Sequence, residues 1–247
     1  MNESIMKKFV RKCEDDFIRF MGIESMPPFQ IEPKETSLEL GFGSPAEASY
    51  DIPTGTHKLI IWSTIPELHA DYIVFHELTH VLDAETYSKR DKLRHFSNRG
   101  YTEYHAAQID FMKLLGVENI SQSFSFSMNH TLETISGTIT AVDFVERPHE
   151  LATELINRQD FPANMETLVI TIGAIFNYYG RRSICKMYAR DYLERVDKSS
   201  ITKLIQKDMV TLLDEYMLEW FDKKLVANID QLYYQMAISL YQQYNLP

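Results

Sequence analysis

The chain has 247 residues, of which 45% are hydrophobic and 24% charged, so it is long enough to bury a sizeable core and its composition is ordinary for a globular protein. Its formal net charge is -10. A protein with such an excess of acidic side chains is poorly suited to displace counterions from a phosphate backbone, and we expect no direct nucleic-acid binding.

Residues 4–21 predict an amphipathic helix with apolar side chains on one face. Acidic residues lie inside this pattern, which is unlike a secretory signal, and the longest apolar stretch, 168–176, is too short to span a bilayer. We therefore expect a cytoplasmic protein with no membrane partner. Cys13 and Cys185 belong to no metal-binding pattern and are expected to be free, buried thiols.

The next segments predict short strands. Residues 29–32 and 36–40 alternate apolar and polar side chains, and 57–62 is a short apolar run, so all three are interpreted as strands. Residues 41–55, which are rich in Gly, Pro and small polar residues, predict a long loop. The strand at 59–62 is either an edge strand that pairs with an extended peptide or a plain core strand.

Two helices follow. Thr64 and Glu67 are spaced as a capping box and predict a helix over about 65–86. The charged, irregular residues 88–99 predict a loop. The next helix is expected to end at Gly116, because glycine readily adopts the left-handed conformation that follows a helix.

The second half of the sequence has a different character. Residues 123–128 predict a strand, and everything from residue 130 onward predicts helix. The predicted helices are 130–145, 148–158, 163–179, 181–195, 201–221 and 225–244. We therefore expect a mostly helical α+β fold: a region with a small sheet over 1–120, and an all-α region over 121–247 that packs against it or forms one continuous domain with it.

Residues 76–80 read His-Glu-Leu-Thr-His and lie inside a predicted helix. Residues four apart lie on the same face of a helix, one turn apart, so the imidazoles of His76 and His80 can converge on one ion. Glu77 leans to the side of that site, where its carboxylate can take a proton from a metal-bound water. The pattern indicates a zinc site with Glu77 as a general base.

A catalytic zinc ion needs a third protein ligand and one open position. The best candidate is Glu103 on the following predicted helix, where Ala106 and Ala107 lie on the same face and would allow a close helix approach. Asp83 lies nearly on the face of His76 and is better suited to accept the N–H of a ligand histidine. His105 is two residues from Glu103 and should point elsewhere, although it could border the cleft.

This arrangement, the motif at 76–80 followed by a downstream glutamate, resembles that of the gluzincin metallopeptidases, and more narrowly that of the ImmA/IrrE-type family. The resemblance covers residues 50–116. It implies a zincin-like core in which zinc is bound by His76, His80 and Glu103, with Glu77 as the catalytic base. It also implies a peptide or protein substrate, such as a regulatory protein cleaved inside the cell.

The expected reaction is amide hydrolysis by a metal-activated water, with Glu77 transferring the proton. A group that stabilises the oxyanion is also needed; the candidates are Tyr87, Tyr101, Tyr104 and His105 from the neighbourhood and His149 from the second half of the chain. The alternative is a zincin-like interaction or regulatory protein that does not hydrolyse peptides. The intact Glu77 favours the enzyme, because a binding scaffold has no chemical need for this carboxylate.

Overall fold

The structure is a computed structural model, and it describes residues 3–35, 45–193, 199–202, 204–215 and 223–244. As predicted, the chain is α+β and mostly helical. It folds into two compact units, each discontinuous in sequence. The first unit contains the described residues of Met1–His95, Ile109–Phe124 and Glu133–Thr138. The second contains those of Phe96–Gln108, Ser125–Leu132 and Ile139–Pro247. The boundary near residue 120 stays a prediction.

The first unit contains a three-stranded sheet. Its strands are β1 (Phe29–Lys34), β2 (Ala46–Asp51) and β3 (Thr56–Trp62), in the order β1-β3-β2, with β1 parallel and β2 antiparallel to β3. The predicted strands at 29–32 and 57–62 are confirmed. The idea that 59–62 is an edge strand is wrong, because β3 is central and Leu59 and Ile61 are fully buried.

Strand β2 lies within the segment predicted as a loop. Its sequence has no aliphatic β-branched residue and so carries little local signal for a strand. Antiparallel pairing with β3, from Ala46 opposite Ile61 to Asp51 opposite Thr56, supplies the hydrogen bonds that local propensity does not. The predicted strand at 36–40 lies outside the described residues.

Helix α1 (Glu3–Met21) confirms the first predicted helix, and its buried face packs against helix α2 (Asp71–Asp83). Helix α2 begins at Asp71 and not near residue 65. The segment before it forms turns that end at His69, whose φ of 49° is left-handed and breaks the helical path. At its other end α2 continues into a π-helical turn over Ala84–Ser88.

Helix α3 (Lys92–Ser97) occupies part of the predicted loop at 88–99. The Asp91 carboxylate explains this difference, because it accepts hydrogen bonds from the amides of Leu93 and Arg94 at 2.9 and 3.0 Å and so caps the helix. Helix α4 (Arg99–Leu114) ends as predicted at Gly116, which has a φ of 77°.

A two-stranded hairpin, β4 (Thr131–Thr134) and β5 (Gly137–Thr140), replaces the predicted helical start at residue 130. Gly137, with a φ of 98°, permits the tight turn, and its carbonyl accepts a hydrogen bond from the Thr134 hydroxyl at 2.8 Å. The second half of the chain is therefore not purely α-helical. The predicted strand at 123–128 is reduced to one bridge between Phe126 and Ala189.

Helix α5 (Ala141–Ile156) runs through Pro148, where two separate helices were predicted. Proline has no N–H to donate to the carbonyl of Phe144, four residues earlier. Arg181 replaces that donor: its guanidinium donates to the Phe144 carbonyl at 3.1 Å and lies over the Phe144 ring, 3.7 Å from the ring centroid. A residue distant in sequence thus keeps α5 continuous.

Helix α6 (Met165–Tyr188) is a single helix where the sequence predicted two with a break near Gly180. This glycine lies against α4: a Cβ atom there would come within 2.1 Å of the Tyr104 carbonyl oxygen and 3.0 Å of the Ala107 side chain. The glycine therefore serves close helix packing and does not end the helix. Ala107, expected to admit the 76–80 helix, contacts α6.

The remaining described helices are α7 (Ser199–Thr202), α8 (Lys207–Glu215) and α9 (Lys223–Gln243). Helix α9 confirms the last predicted helix, whereas the helix predicted over 201–221 is interrupted between α7 and α8. Both cysteines are buried and free, as predicted. Burial raises the pKa of the Cys13 thiol to about 12, so this thiol stays protonated near neutral pH.

Candidate metal centre

Helix α2 presents His76 and His80 on one partly exposed face, with their ring centroids 4.8 Å apart. The rest of the helix is anchored in the core. Phe75 packs edge-on against Phe17 and Phe20 of α1, at centroid distances of 5.3 and 5.5 Å. Because α2 is held along its buried face, the two imidazoles are presented with a defined direction.

Glu103 lies in the first half of α4 and joins the two histidines. One ligand atom from each of His76, His80 and Glu103 lies within 4.8 Å of the other two. In tetrahedral zinc sites the ligand atoms are about 3.3 Å apart, given metal–ligand distances near 2.0–2.2 Å. Three atoms at the 4.8 Å limit lie about 2.8 Å from their common centre, and atoms 3.3 Å apart lie about 1.9 Å from theirs, so each would move inward by at most ~0.9 Å. Rotamer adjustment can supply a movement of this size.

Asp110 is a site residue that the sequence reasoning missed. Its Oδ2 lies 3.0 Å from Nδ1 of His76, and its side chain is buried. An ionised carboxylate only accepts hydrogen bonds, so the proton in this bond is carried by Nδ1 of His76. The lone pair that could bind a metal ion is then on Nε2, which is directed away from Asp110. Carboxylates in this position orient metal-binding histidines. The sequence offered one signal for this role: residues 103 and 110 lie two turns apart on one helix face, so Asp110 is expected on the same side of α4 as Glu103.

The Glu77 side chain is buried and held by the sheet. Its Oε2 accepts a hydrogen bond from the backbone amide of Ala48 in β2 at 2.6 Å. Ala48 is opposite Leu59, and its amide is directed away from β3 toward α2. The carboxylate next to the first histidine is therefore placed by the fold, and one edge of the sheet supplies its donor.

The other carboxylate considered from the sequence, Asp83, is buried at the C-terminal end of α2. Asp83 was predicted to accept the N–H of a ligand histidine. The structure shows that interaction for Asp110, on a different helix. For Asp83 the interaction with a ligand histidine stays a prediction.

Of the candidate oxyanion residues, Tyr101, Tyr104 and His105 are buried, whereas Tyr87 and His149 are partly exposed. The Tyr104 hydroxyl is hydrogen-bonded to Ser183 of α6, and burial raises its pKa. Tyr101 and His105 pack against each other with ring centroids 5.5 Å apart. Among the three, Tyr104 therefore has a packing role between α4 and α6.

No protein-family model, curated protein or solved structure matches the chain. Among the described residues, no helix combines the length and apolar character needed to cross a membrane.

Proposed function

We propose that this chain is a zinc-dependent peptidase of the gluzincin type, with a zincin-like core and zinc bound by His76, His80 and Glu103. The observation that carries the proposal is the convergence of two imidazoles and one carboxylate, whose ligand atoms lie within 4.8 Å of one another. Among the described residues this group has three members, which suits a catalytic ion with an open position better than a closed structural site.

The residues around this group have the roles that peptide hydrolysis requires. A zinc ion supplies Lewis acidity toward a water molecule and the scissile carbonyl. Glu77 accepts the proton from the water and delivers it to the leaving amine. The Ala48 amide holds Oε2 of Glu77, which leaves the carboxylate oriented before substrate arrives. Asp110 accepts the Nδ1 proton of His76, and so keeps the ring in the tautomer whose Nε2 lone pair is directed away from the Asp110 carboxylate.

The position of β2 supports an extended peptide as the substrate. This strand is at the edge of the sheet, and it contains Ala48, the residue whose amide contacts Glu77. A peptide that adds a strand to this edge would pass beside the general base. We therefore propose that β2, and not β3, is the strand that pairs with a peptide substrate. Cleavage of a single regulatory protein and a cytoplasmic location stay predictions.

The metal site is tested by zinc analysis of the purified chain and of two single variants. We expect about one zinc ion per chain in the wild type and none in His80→Ala. His130→Ala is the matched control, because His130 is exposed and its loss should leave the zinc content unchanged. A wild-type chain without zinc after purification in zinc-containing buffer would refute the metal site.

The hydrolytic function is tested separately. A library of peptides from digested cell protein is incubated with the zinc-loaded chain, and new peptide ends are detected by mass spectrometry. Glu77→Gln should keep its zinc and lose ~10²–10⁴-fold in rate, because the amide accepts no proton. Glu67→Gln removes an exposed carboxylate outside the site and should cleave normally. Zinc binding without cleavage in the wild type would favour the non-hydrolytic alternative.

A further inference from the structure

The Glu103 carboxylate has a neighbour on α6 that none of the sequence arguments identified. Nδ2 of Asn177 lies 3.2 Å from Oε2 of Glu103, in a partly buried position. Gly173, one turn earlier on α6, faces the other oxygen: a Cβ there would be 3.9 Å from Oε1. One face of α6 therefore lies against this carboxylate.

The amide of Asn177 can take only one orientation here. Turning it over would place the amide oxygen against a carboxylate oxygen, and two acceptors facing each other repel. In the observed orientation Nδ2 donates to Glu103, whereas Oδ1 is buried and has no hydrogen-bond partner in the part of the chain that the structure describes. A buried amide oxygen without a partner is unfavourable, so packing alone does not favour asparagine at this position.

A carboxylate that binds a metal ion through one oxygen gains direction when a donor holds its other oxygen. Two features of this contact suit that role. The donor is neutral, so it adds no charge that would repel a cation, and it sits on a short side chain with few rotamers. Lysine or arginine at residue 177 would instead compete with the ion for the carboxylate.

We propose that Asn177 is a positioning residue that holds Oε2 of Glu103 and thereby increases the affinity of the site for zinc. This inference rests on the proposed metal site. Asn177 touches neither the ion nor a substrate in this scheme, and it acts through Glu103 alone. Its removal should therefore weaken metal binding without removing any of the three ligands.

The test compares two variants that remove hydrogen bonds between α4 and α6 at different places: the bond from Asn177 to Glu103, and the bonds of Ser183 with Gln108 and Tyr104. Asn177→Leu keeps the approximate size of the side chain and removes the donor to Glu103. Ser183→Ala is the matched control, because the Ser183 hydroxyl accepts from Nε2 of Gln108 at 2.6 Å, away from the carboxylate. Zinc affinity of the full chain is measured by competition with a chromophoric chelator, and unfolding of the metal-free proteins is followed in urea.

We expect Asn177→Leu to bind zinc about 10–100-fold more weakly than the wild type, and Ser183→Ala to bind it within about 2-fold of the wild type. The visible spectrum of the Co²⁺-substituted protein should change in Asn177→Leu and not in Ser183→Ala, since it reports the geometry of the ligands. Asn177→Gln, which keeps an amide donor, should recover part of the affinity.

Three outcomes overturn the inference. Wild-type affinity in Asn177→Leu would show that the contact does not position Glu103. Equal losses of affinity in Asn177→Leu and Ser183→Ala would show a general effect of loosening α6. A wild-type chain that binds no zinc would refute the proposed function as well, whereas the first two outcomes leave it intact.

Discussion

Helix α5 should depend on Arg181 for its continuity at Pro148. Proline leaves the Phe144 carbonyl without its intrahelical donor, and the Arg181 guanidinium donates to that oxygen at 3.1 Å. Arg181→Met keeps much of the side-chain length and removes the donor. A hydrogen bond to a charged group contributes about 1.5–3 kcal/mol, and the contact with the Phe144 ring adds about 0.5–1 kcal/mol. We expect a loss of ~2–4 kcal/mol in the free energy of unfolding.

Replacing the proline isolates the hydrogen bond from the other effects. In Pro148→Ala the amide of residue 148 can donate to the Phe144 carbonyl, so Arg181→Met should then remove mainly the ring contact. The coupling between the two substitutions should be about 1.5–3 kcal/mol, the contribution of the hydrogen bond, with the double variant more stable than the sum of the single effects predicts. Urea unfolding of the four proteins, with equal m-values, measures this coupling. Additive losses would refute the assigned role of Arg181.

Three further predictions concern the site, a histidine of the first unit and a glycine of the second unit. Asp110→Asn should weaken zinc binding by about 10–100-fold in chelator competition, because a neutral amide oxygen accepts the Nδ1 proton of His76 more weakly than a carboxylate and makes the ring a poorer ligand; unchanged affinity would contradict this. Burial lowers the pKa of His57, so its contribution to stability is present above pH 6.5 and is lost as the pH falls through and below that value. His57→Phe should therefore lose less stability than the wild type between pH 7 and 5 in urea unfolding, and parallel curves would refute this. Gly180→Ala should destabilise the chain by about 1–3 kcal/mol or more in urea unfolding, because its Cβ would clash with the Tyr104 carbonyl; wild-type stability would contradict the close packing.

Several elements could be predicted because their signals are local. Helices α1, α4 and α9 follow from apolar periodicity, and Gly116 ends α4 through a conformation that glycine adopts easily. Two of the failures share one cause, which is that long-range contacts overrode the local signal. Strand β2 depends on pairing with β3, and α5 passes Pro148 because a side chain from α6 replaces the missing donor.

The candidate site likewise has one part that the sequence predicts and another part that only the structure shows. The pairing of His76 with His80 follows from the helical repeat, since residues four apart share a face whatever surrounds them. The partners of these groups could not be deduced in that way. Which carboxylate receives the His76 N–H, and which amide contacts Glu77, depends on how separate segments approach each other in space.

The amino-acid sequence alone therefore determined the spacing of the two imidazoles, the neighbouring glutamate and the end of α4, because helical geometry acts over a few residues. Only the tertiary structure decided that Asp110, Ala48 and Asn177 hold the groups around them. These contacts join residues 29 to 74 positions apart, and packing of helices and strands brings them together. No local pattern encodes such a distance.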